Sequence, residues 1–93
     1  PPPPADPDSL DAKYEQVQLS DYFGILGLSR SAGAEDVRAA RERLAKQFDP
    51  LRWSTHPDPS LLRRAQAVLA SIEEAARTLE DDRLRAEYAR HLT

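Results

Sequence analysis

The chain has 93 residues, 40% of them hydrophobic and 31% charged, a balance that fits one small folded domain rather than a disordered segment. It has no cysteine, which excludes disulfides and thiolate metal sites, and His56 and His91 lack partners at metal-ligand spacing, so neither metal nor cofactor is expected. The formal charge of −3, with a pI near 5.3, leaves no overall electrostatic footprint for nucleic acid.

No apolar run approaches the ~18 residues of a membrane span and nothing resembles a signal peptide, so no membrane association is expected and the expected compartment is the cytoplasm. Only 3 Gly and 6% aromatics, with Ala, Leu, Arg and Glu abundant, favour helix over sheet. The chain opens on Pro1 and contains no Met, and so reads as a piece of a larger protein.

In chain order, residues 1–8 are proline-rich and read as an extended linker. Residues 9–19 form an N-terminal extension. There Ser9 is placed to cap an extra helix with Leu10, Tyr14 and Val17 on one face. From Ser20 the pattern sharpens. Ser20 is expected to cap a short helix carrying Tyr22, Phe23 and Leu26, stopped by Gly27, with a turn from Ser29 to Gly33. Glu35 and Asp36 then suit a helix N-terminus, where negative charge complements the macrodipole. Val37, Ala40, Leu44 and Phe48 recur at spacings of three and four, which predicts one buried stripe over a helix at 34–48. Pro50 ends that helix, since the residue before a proline is biased away from the α region.

Residues 49–59 hold three prolines and read as a loop. Ser60 is expected to open a long helix to Leu79 with a stripe of Leu61, Ala65, Val68, Leu69, Ile72, Ala76 and Leu79. Asp82 is expected to cap a last helix, with Leu84, Tyr88 and Leu92 inward. The predicted class is all-α: two long helices in an antiparallel hairpin, flanked by short first and last helices.

These residues resemble the J domain of the DnaJ family. Asp21-Tyr22-Phe23 and Leu26-Gly27-Leu28 are similar to the family's opening Asp-Tyr-Tyr and Leu-Gly-Val. Ala32, Glu35, Val37, Ala40, Leu44, Ala45 and Phe48 fall in register with its second helix without a gap. Ile72, Glu74, Ala75 and Leu79 resemble its third, and Asp81, Arg85 and Tyr88 its last. The resemblance covers residues 20–92. Arg41 and Ala76 stand where the family often has tyrosine; Trp53, or Leu10, Tyr14 and Val17, are the candidates to replace that buried area.

In the family, a His-Pro-Asp tripeptide just after the second helix stimulates ATP hydrolysis by a DnaK-type chaperone, its aspartate engaging a cationic site. The residues aligned with it here are Asp49, Pro50 and Leu51. An isobutyl group cannot replace a charge-assisted hydrogen bond, and an ionised Asp49 cannot donate as a histidine does. A literal His56-Pro57-Asp58 follows seven residues later. It reads chiefly as coincidence in a stretch rich in Pro and Asp, because Pro50 stops the helix before His56 is reached; a shifted working motif is the alternative.

The second helix also carries Arg38, Arg41, Arg43 and Lys46, the positions at which the family presents a basic face to its chaperone partner. Glu42 is placed to pair with Arg38 and Lys46, so a solvated, internally paired face competes with a binding face. Arg52 and Trp53 complete the candidate partner-binding set. For Trp53 packing is favoured over an exposed anchor.

The sequence shows no nucleophile, base or metal constellation, and no enzymatic activity is expected. The leading expectation is a monomeric, non-catalytic J-like interaction module of a larger, bacterial multidomain protein. Its partner would be a protein, either a DnaK-type chaperone or an unrelated one. The runner-up is a working co-chaperone that stimulates a DnaK-type ATPase.

Overall fold

A computed structural model describes residues 7–92 of the chain. Five α-helices follow one another: α1 (Pro7–Leu19), α2 (Tyr22–Leu26), α3 (Ala34–Gln47), α4 (Pro59–Glu80) and α5 (Asp82–His91), with a 3₁₀ turn (Pro50–Trp53) between α3 and α4. No strand occurs among the described residues, as the composition leads one to expect.

The chain's aspartates punctuate it. Asp21 caps α2, its carboxylate accepting from the Gly24 N–H at 2.8 Å. Asp58 caps α4 and Asp81 caps α5. The caps expected at Ser20 and Asp82, and the helix start expected at Ser60, are therefore each corrected by one or two residues. The reason is conformational: a capping residue keeps extended backbone. Pro59 opens α4 and forces that geometry on Asp58, leaving Ser60 inside the first turn. Likewise α1 starts at Pro7, ahead of Ser9, so Pro7 and Asp8 belong to a helix rather than to the expected linker. The rest of that linker lies outside the described residues. Gly27 closes α2 at φ 69°, a left-handed value that an L side chain rarely adopts.

The core sits on α4, which touches every other element. Val37, Ala40 and Leu44 of α3 meet Leu61, Ala65, Val68, Ile72, Ala75, Ala76 and Leu79 of α4, with Phe23, Ile25 and Leu26 of α2. Leu69 falls to the edge of the stripe and is only partly buried. Two ion pairs report the antiparallel direction. Arg38, early in α3, meets Glu80 late in α4, and Arg41 meets Glu73 farther back. Trp53 and Leu10 enter the core, with Tyr14 and Val17 packed against it.

One inward residue is corrected. Leu84 is 44% exposed, because the packed face of α5 is set by Tyr88, Ala89 and Leu92. Arg85 shares that face, a helical turn before Tyr88 and Ala89. Its guanidinium donates to the Leu79 carbonyl at 2.9 Å and to Asp82 at 2.7 Å. Tyr88 stacks on Tyr22 with ring centroids 4.6 Å apart, and its hydroxyl accepts from the Tyr22 N–H at 2.8 Å. The first and last helices of the J-like core are thus joined directly.

Candidate functional site at the end of α3

α3 stops where its carbonyls would meet Pro50. Phe48 turns its side chain into the core and donates its N–H to the Leu44 carbonyl at 2.9 Å. Asp49, Pro50 and Leu51 follow, and local bonds immobilise them. The Asp49 carboxylate accepts from the Leu51 N–H at 3.0 Å, and the Leu51 carbonyl accepts from the Ser54 hydroxyl at 2.9 Å. Arg52 reaches back to the Gln47 carbonyl at 2.6 Å, and its guanidinium lies 5.7 Å from the Trp53 ring centroid. Trp53 is 2% exposed, so it packs and does not serve as an exposed anchor. Its indole N–H finds no acceptor among the described residues. The side chain left pointing out is Leu51, 76% exposed.

His56, Pro57 and Asp58 are also exposed, but they lie beyond the 3₁₀ turn, at the start of α4. The Asp58 carboxylate accepts from the Ser60 N–H at 2.9 Å and the Ser60 hydroxyl at 2.7 Å. Those bonds hold its carboxyl below the ordinary value of 3.8. His56 Nδ1 in turn accepts the Asp58 N–H at 3.1 Å. The aspartate of the second tripeptide is therefore engaged in starting a helix.

The four basic residues of α3 divide into two pairs. Arg38 and Arg41 turn toward α4 and bridge Glu80 at 3.5 Å and Glu73 at 3.6 Å. The expected Glu42–Arg38 pair is replaced by the bridge to Glu80, since a carboxylate across the hairpin lies within reach. Arg43 and Lys46 are exposed and have no carboxylate at ion-pair distance among the described residues. Sequence reasoning missed Lys13 of α1, which donates to the Ile25 carbonyl and whose ammonium is depressed by burial and then by the charge of Arg43. No periodicity marks such a contact. It depends on how α1 lies across the bundle.

Among the described residues, no group of acidic or histidine side chains could hold a metal ion, and no helix is long and apolar enough to cross a membrane. The comparisons with known proteins agree with the fold. The chain is 39% identical over 76 residues to the chaperone protein DnaJ of Hydrogenobacter thermophilus, covering 82% of this chain and 19% of that protein. It is 37% identical over 68 residues to the chaperone protein DnaJ of Bacillus cereus strain B4264, covering 73% of this chain and 16% of that protein. The chain thus spans less than a fifth of the length of these curated relatives. No family model and no solved structure matches. With its helices in the expected order and this identity over most of its length, the chain is a divergent J-like domain, homologous to the DnaJ family.

Proposed function

We propose that this domain is a non-catalytic protein-interaction module of a larger protein, which docks a protein partner through the outer face and C-terminal end of α3 and does not stimulate a DnaK-type ATPase. One observation carries the reading: the outward side chain after α3 is Leu51, held in place by Asp49 and Ser54 and without charge or acceptor. A trigger that works through a charge-assisted hydrogen bond has nothing to offer from that position. Asp49 does carry charge, but one of its oxygens is taken by the Leu51 N–H. The second tripeptide is accessible, which favours the working co-chaperone as the alternative reading. Against it stands the capping role of the Asp58 carboxylate.

The test is single-turnover ATP hydrolysis by a purified DnaK-type chaperone, with and without the 93-residue chain. The expected rate is the chaperone's own background. Asp49→His combined with Leu51→Asp asks whether the tripeptide alone is missing, and a restored rate would mean that the remaining surface is competent. Clear stimulation by the unmodified chain refutes the proposal, and its loss in His56→Gln would then assign the activity to the displaced motif.

A further inference from the structure

α4 is the hub of the core, yet one of its faces is open to solvent. Arg63, Gln66, Ala67, Ala70, Glu74 and Arg77 are all exposed and fall at helical spacing, so they form one strip opposite the buried stripe of Leu61 to Leu79. The charges of the strip are not spent within the chain. Arg63, Glu74 and Arg77 lie beyond ion-pair distance of any opposite charge among the described residues. The Tyr22 hydroxyl donates to Glu74 but leaves its charge in place. Around Glu74 the surface is concave, a groove lined by Ala70, Glu74, Arg77, Thr78 and the half-exposed Leu84. The spacing of the strip reads the same in both directions: Arg63 to Ala67 is four residues, Ala67 to Ala70 three, and Ala70 to Glu74 four.

We propose that a second copy of this chain covers the strip, the two α4 helices pairing antiparallel about a twofold axis between Ala67 and Ala70, with Arg63 of each copy on Glu74 of the other. The contact is isologous, and each copy brings the charge complement that the other needs. The alanines at its centre carry no bulk to hold the helices apart. The stem of each Arg63 lies in the other copy's groove, against Leu84. Arg77 comes opposite Ser60 of the other copy, beside the Asp58 carboxylate that caps its α4. The strip falls far short of the roughly 20–30 residues a side of a stable complex, so the dimer is weak and the expected monomer is its dilute form. α3 packs along the side of α4 that holds Glu73 and Glu80, about a quarter turn from the strip, so pairing leaves its outer face open. A dimer thus presents that face twice, to the advantage of binding at a bivalent target. That advantage rests on the proposed function; the pairing itself does not.

Sedimentation equilibrium on the full chain tests this. At low salt the weight-average mass should rise above the monomer's 10.4 kDa as concentration climbs to about 1 mM. It should fall back in about 0.5 M NaCl, where exposed ion pairs are screened. Arg63→Glu and Glu74→Arg each set like charges face to face, and each alone should associate at least ~10-fold more weakly. Mixed in equal amounts, the two variants should associate again, because each supplies the charge the other lacks. The double variant should self-associate as the wild type does. Both positions are exposed, so the thermal midpoints should stay close to that of the wild type. A chain that remains at 10.4 kDa throughout overturns the dimer. Association indifferent to both charge reversals, or a mixture that stays monomeric, overturns this pairing of α4 with α4.

Discussion

Ile72→Ala should cost about 3–4 kcal/mol, while Leu84→Ala should cost no more than about 0.5 kcal/mol. Ile72 is wholly buried, in a helix that every other element touches, so no neighbour can swing in without disturbing another. The substitution removes three buried carbons, worth roughly 0.8 kcal/mol each, or about 2.4 kcal/mol of transfer free energy. The unfilled cavity accounts for the remainder. In a domain of this size a loss of about 3 kcal/mol lowers the melting midpoint by at least ~12 °C. Leu84 already faces water over much of its surface, so truncation takes away little. Urea titrations followed by circular dichroism would measure both. The fluorescence of Trp53, the chain's sole and buried tryptophan, gives an independent probe. A loss below ~1 kcal/mol for Ile72→Ala, or equal losses for the two variants, would refute this account of the core.

Asp81→Ala should destabilise α5 by about 1 kcal/mol in the same titrations, because its carboxylate accepts from both the Arg83 and Leu84 N–H groups. Asp82→Ala should cost less, and the reverse order would restore Asp82 as the cap. Tyr88→Phe keeps the stack on Tyr22 but leaves the Tyr22 N–H without its acceptor, and should cost about 0.5–1.5 kcal/mol. A lowered folded-state pKa makes the stabilisation from Asp58 complete above its ordinary 3.8 and lost as pH falls through the folded value. Asp58→Asn caps without titrating, so its acid denaturation should lack that component; identical acid limbs for wild type and variant would contradict it. Leu51→Ala should leave stability within about 0.5 kcal/mol, which separates any effect on a partner from an effect on the fold.

Residues 34–48 and the stripe from Leu61 to Leu79 could be read as helices from spacing alone, because a 3.6-residue period writes burial directly into the order of residue types. The hairpin followed from the prolines between them, and Gly27 marked the end of α2 because few other residues accept its backbone. That Asp49, Pro50 and Leu51 stand just after the α3 stripe was equally legible, since it is a matter of which residues stand where. Capping was not: Ser20 and Asp21, or Ser60 and Asp58, are chemically alike as acceptors, and only the backbone path decides which one precedes the first turn. Ion-pair choice was hidden for a related reason. Arg38 had Glu42 within helical reach in sequence, but packing α3 on α4 brought Glu80 to it instead. The exposure of Leu84 and the reach of Lys13 to Ile25 both depend on the angle at which one helix meets another. That angle is set by the summed packing of many side chains, which no local pattern contains.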